Sequence, residues 1–132
     1  MSIASINAQI LANSMEVSNI ELQIMLLDNH RQRIAYQSQE LSTEFSTRLS
    51  KKTMTIDLAD DLTDEDEDAL ELEWQQFKIE YEIAETRLNA QDKVLEQERT
   101  RIETKKTMLT TANESLEKRL QKNIEADMKG SN

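Results

Sequence analysis

The sequence predicts an all-α protein: two long helices folded back on one another as an antiparallel coiled-coil hairpin, packed further in an oligomer. Three observations carry that expectation. Trp74, Tyr81, Leu88, Leu95, Ile102, Leu109 and Leu116 recur at an unbroken spacing of seven, which keeps a helix seam aimed at a neighbouring helix. The first third of the chain carries another apolar series, at alternating spacings of three and four. The 132 residues also contain no Pro and a single Gly, at position 130, so the residues on which tight turns depend are almost missing. With 37% apolar and 32% charged side chains, the composition is that of a few long amphipathic helices.

In the first helix Ile3, Ile6, Ile10, Asn13, Val17, Ile20, Ile24, Leu27, Arg31, Ile34, Ser38, Leu41 and Phe45 follow the 3-4 spacing, and ten of these thirteen are apolar. The pattern predicts a continuous helix over 3–50. Lys51 and Lys52 then suit the negative end of a helix dipole. A second stripe, Ala4, Ala8, Leu11, Met15, Leu22 and Met25, falls nearly opposite the seam. A helix with two apolar faces calls for two neighbours. Either it lies inside a bundle of three or four helices, or one face meets its own chain and the other a second subunit. With only two long helices available, the second arrangement is expected, with Leu11, Met15, Leu22 and Met25 as the self-association surface.

Residues 51–63 read as the connector. Met54, Ile56 and Leu58 alternate with Thr55 and Asp57, a period-two hint of a short extended segment. It has no strand partner within the chain, so an ordered connector is expected; edge pairing with another copy is the alternative. Thr63-x-x-Asp66 then has the form of a capping box. Asp64, Glu65, Asp66, Glu67 and Asp68 follow it, where the positive end of a helix dipole favours acids. The second helix is expected over 64–127, with 128–132 as a frayed tail.

In an antiparallel pair the two seams oppose one another, and a connector of this length aligns residue numbers that sum to 115. Leu41 then faces Trp74, Ile34 faces Tyr81, Leu27 faces Leu88, Ile20 faces Leu95 and Ile6 faces Leu109, with Phe45 opposite Leu70. The intervening layers place Ser38 by Phe77, Arg31 by Ala84, Ile24 by Gln91, Val17 by Glu98 and Ile10 by Lys105. Ile102 completes the seam. This register leaves residues 113–128 past the end of the first helix, so Leu116, Leu120, Ile124 and Met128 form an unpaired apolar overhang suited to docking.

The net charge of −10 is local. Residues 1–52 hold five acids and five bases, 74–132 hold eleven of each, and 53–73 hold ten acids and no base. Asp57, Asp60, Asp61, Asp64, Glu65, Asp66, Glu67 and Asp68 thus make an acidic tip, which argues against nucleic acid as a partner of this segment. Asp64-x-Asp66-x-Asp68 opens like a calcium loop, but Ala69 and Gln75 stand where Gly and Glu are needed. There is no Cys, one His at position 30, and no Gly-rich phosphate loop or nucleophile setting. The reading is therefore non-enzymatic, with no cofactor and no metal. No apolar run approaches the roughly 18–20 residues of a membrane helix. The first 20 residues carry no Lys or Arg and include Glu16, unlike a signal peptide. A cytoplasmic protein, or one exported without a cleavable signal, is expected.

Two functions fit. The first is a structural or assembly protein that self-associates through the second face of helix one. The second is an adaptor or stalk that presents its acidic tip or C-terminal overhang to another protein. In length and antiparallel long-helix layout the chain is similar to the stalk proteins of flagellar and type III export systems, and this resemblance implies the second role. Filament and needle subunits of those systems also pair long helices around a short connector. The needle subunits usually have Pro and Gly at the turn, which this chain lacks.

Overall fold

The structure, a computed structural model, describes residues 2–58 and 62–130. It is an all-α helical hairpin of two helices, α1 (Ile3–Leu58) and α2 (Asp64–Gly130). Ser2 caps α1, its hydroxyl oxygen accepting from the Ser5 amide at 3.1 Å. The capping box expected at α2 is present. The Asp66 amide donates to Thr63 Oγ1 at 3.1 Å, and the Thr63 amide to Asp66 Oδ2 at 3.4 Å. Each satisfies a backbone donor that the first turn leaves orphaned.

The expected connector is corrected. α1 does not stop near residue 50 but continues through Lys51 and Lys52 to Leu58. Two threonines of this stretch are accommodated in the helix locally, because the hydroxyls of Thr53 and Thr55 donate to the carbonyls of Leu49 and Lys51, four residues back,. The alternation of Met54 and Ile56 marks no sheet face either, since both side chains are exposed. Residues 128–130, expected to fray, belong to α2. Asp60 and Asp61 of the expected acidic tip lie outside the described residues.

The chain forms two compact units, Met1–Asn29 with Glu96–Asn132, and His30–Leu95. In the first, Ile6, Ile20, Ile102 and Leu116 are buried, and Ile3, Ile10, Asn13, Val17, Ile24, Leu27, Leu109 and Leu120 are half-buried. Ion pairs join the helices on either side of this core. Lys105 Nζ donates to Glu16 at 2.9 Å, Lys106 lies 3.3 Å from Glu21, and Arg99 Nε donates to Asp28 at 2.7 Å. Asn113 Nδ2 donates to the Ile10 carbonyl at 3.4 Å and the Ser14 hydroxyl at 3.2 Å.

In the second unit Ile34 is buried, and Ser38, Leu41, Phe45, Leu70, Trp74, Tyr81, Leu88 and Leu95 are half-buried. Tyr36 stays exposed, but Phe45 gathers three of the other rings around it. Its centroid lies 4.3 Å from Tyr81, 5.1 Å from Trp74 and 6.0 Å from Phe77. Arg31 makes a two-pronged bond to Asp92, with Nε to Oδ1 at 2.9 Å and Nη2 to Oδ2 at 3.3 Å.

These contacts correct the register by about one heptad. The expected neighbour of Arg31 is Ala84; the observed one is Asp92, eight residues on. Ile10 is expected by Lys105, and its carbonyl meets Asn113 instead. Phe45 and Phe77, whose rings lie 6.0 Å apart, have numbers that total 122, not 115, and the buried Ile6 with Leu116 and Ile20 with Ile102 fit the same total. The seven-residue ladder permits either alignment. The longer α1 and shorter connection leave only the second.

The layers between the ladder residues move too. Phe77 and Ala84 are half-buried three positions after Trp74 and Tyr81. Beyond Leu88, Asp92, Arg99, Lys106, Asn113 and Leu120, four after each ladder residue, are half-buried; of the expected layer residues Glu98 is half-buried, while Gln91 and Lys105 are exposed. A straight helix drifts about 20° per heptad against a seven-residue repeat. After a few heptads the residue at i+4 faces the partner better than the one at i+3.

Candidate functional site

The outward face of α1 in the first unit is the principal candidate surface. Because the seam residues from Ile3 to Leu27 turn toward α2, the stripe half a turn away is left bare. Leu11, Met15, Leu22 and Met25 are 54–62% exposed, and Leu26, which the sequence reading missed, is 58% exposed. Ala4 and Ala8 are exposed as well. The signal for Leu26 was its place four residues after Leu22, repeating the interval from Leu11 to Met15.

The C-terminal overhang is smaller than expected. Leu116, assigned there to partner docking, is only 8% exposed and belongs to the intrachain core. Leu120 is half-buried. The shift of register supplies both with α1 residues. Ile124 and Met128 stay exposed, at 42% and 69%. At the other end of α2, Asp64, Glu65, Asp66, Glu67 and Asp68 are solvent-facing, four of them in the first turn.

A further surface in the second unit escaped sequence reading. Leu72, Ile79, Ile83 and Val94 on α2 are each more than half exposed. Their spacing of seven, four and eleven is helical, but the stronger ladder through Trp74 and Leu88 masks it. Val94 also borders a shallow depression of about 420 Å³ shared with His30, Arg87, Ala90, Gln91 and Leu95.

Trp74 and Tyr81 sit in the aromatic cluster, as core. Two cations cover its edge, with the Arg48 guanidinium 4.1 Å from the Phe77 centroid and Lys52 Nζ 5.1 Å from the Trp74 ring. Lys52 also donates to Glu71 at 2.8 Å. Hydrogen bonds from Lys52 and then Gln75 hold the Glu71 carboxyl below its usual range. The bond from Arg31 does the same for Asp92, and that from Arg101 for Glu98. These carboxylates are ion-pair partners, Glu71 exposed and Asp92 and Glu98 half-buried. Among the described residues no three His, Cys, Asp or Glu side chains are grouped to hold a metal ion, and no helix is long and apolar enough to cross a membrane.

No protein-family model, curated protein or solved structure matches the chain.

Proposed function

We propose that this chain is a non-enzymatic structural or assembly protein, a coiled-coil hairpin that self-associates through the outward apolar face of α1. The observation that carries the reading is the exposure of Leu11, Met15, Leu22, Met25 and Leu26 on a helix whose other face is already packed. A contiguous apolar patch of several hundred Å² is the kind that marks an interaction site. Burying the exposed halves of five such side chains would contribute on the order of 4–8 kcal/mol. Association itself costs about 4–15 kcal/mol, so assembly is concentration-dependent. Light scattering from micromolar to millimolar chain should show a rise in mass that Leu11→Ser with Leu22→Ser removes. A single molecular mass across that range, equal to one chain, rejects the proposal.

The second reading, an adaptor or stalk, is supported by exposed Ile124 and Met128 near the end of α2. Removing residues after Lys122 tests it while leaving Asn113 and Leu116 in place. Loss of a captured partner with unchanged self-association would favour this role over the first.

A further inference from the structure

We propose that the occupant of the α1 face is a second copy of the same helix, run antiparallel about a two-fold axis between Ser18 and Asn19. This rests on the self-association reading above and adds the partner's orientation and register.

Leu11, Met15, Leu22 and Leu26 are spaced four, seven and four, the same read from either end. In a two-fold interface, residue i meets j while j meets i. Leu11 therefore meets the partner's Leu26, and Met15 the partner's Leu22. At 3.6 residues per turn the four lie within about 30° of one line along the helix. The seam residues Ile10, Asn13, Val17, Ile20, Ile24 and Leu27 share the same midpoint on the opposite side. Ser18 and Asn19, both exposed, meet at the centre with complementary donors and acceptors.

The electrostatics point the same way. Residues 1–15 carry no charged side chain. The next acids, Glu16, Glu21 and Asp28, are bonded by Lys105, Lys106 and Arg99 of α2. The outward face thus offers a strongly acidic or basic partner nothing to pair with, and a second copy meets no unpaired charge on it. Antiparallel packing opposes the dipoles of the two α1 segments, which parallel packing would align.

The chain has no cysteine among its described residues or elsewhere, so spin labels can be placed singly through Asn7→Cys and Ser18→Cys, both at exposed positions. In the full-length protein, pulsed electron resonance should find an inter-copy distance of about 35 Å at position 7, from 1.5 Å per residue. At position 18 it should be below roughly 20 Å, the helix separation plus the reach of two labels. Short distances at both positions mean parallel packing and overturn this proposal while leaving self-association standing. Long distances at both, in a sample that scatters as a dimer, place the interface elsewhere and overturn it as well. A monomer under all conditions removes both proposals together.

Discussion

The two units solve the same packing problem with different side chains. In the unit of residues 1–29 and 96–132, the core is aliphatic, and Ile6, Ile20, Ile102 and Leu116 are almost shut off from solvent. In the unit of residues 30–95 aromatic rings pack together, yet among its described residues only Ile34 is buried to that degree. A layer between two helices can enclose a branched aliphatic side chain. It is too thin to enclose Phe45, Trp74, Phe77 or Tyr81, which stay half-buried; Arg48 covers the Phe77 ring and Lys52 that of Trp74. Their bare faces differ as well. The first unit exposes α1 residues from Leu11 to Leu26, whereas the second exposes Leu72, Ile79, Ile83 and Val94 of α2.

The largest test of this contrast is the cost of emptying each kind of layer. Ile20→Ala should lower stability by about 2–4 kcal/mol, within the usual range for a buried Ile. Leu41→Ala in the half-buried layer should cost about 1–2 kcal/mol. Equal shifts in urea midpoint would remove the distinction between a closed and a half-open layer.

Next in size is the polar layer at Asn113. Its amide nitrogen bonds Ile10 and Ser14, but its carbonyl oxygen is buried without a partner among the described residues. Since an unsatisfied buried acceptor costs about 1–3 kcal/mol, Asn113→Leu should raise the melting midpoint. Such a gain would come with a weaker preference for one register, because a single polar residue in a seam is a device for selecting alignment. A fall in the midpoint would show that the two donated bonds outweigh the orphaned acceptor.

In the aromatic unit, Lys52→Met should cost about 0.5–1 kcal/mol, the scale of an exposed cation–π contact. The fluorescence of Trp74, the only tryptophan, reports this change directly. No spectral change on substitution would mean that the lysine does not dwell over the ring.

The smallest expected effect is acid-dependent. Arg31 holds Asp92 below its usual pKa, so the folded state binds this proton less readily than the unfolded chain. The stabilisation is present above the unfolded value and is lost as pH falls through the lowered folded value. The gap in urea midpoint between the native chain and Asp92→Asn should therefore close on going from pH 7 toward pH 2. Both side chains are about a third exposed, so the gap is small and shrinks further in salt. A gap that stays constant with pH would assign the effect to packing.

Much of this hairpin was legible from residue pattern. All thirteen α1 positions from Ile3 to Phe45 on the 3-4 spacing are buried or half-buried, as are all seven members of the ladder from Trp74 to Leu116. The capping box at Thr63 and Asp66 was also legible, because a helix start depends on residues three apart,. What misled was Met54 to Leu58, where side-chain alternation imitated a strand while the hydroxyls of Thr53 and Thr55 served a helix.

Periodicity, set by covalent backbone geometry, let the sequence by itself determine the two helices, their inward faces and the bare stripe on α1. Only the tertiary structure decided the alignment of one helix on the other, and with it the transfer of Leu116 from overhang to core. The physical reason is that a repeat of seven is unchanged by a slip of seven. Breaking that degeneracy takes the actual end of α1 at Leu58 and polar contacts across the seam, Arg31 to Asp92 and Asn113 to Ile10.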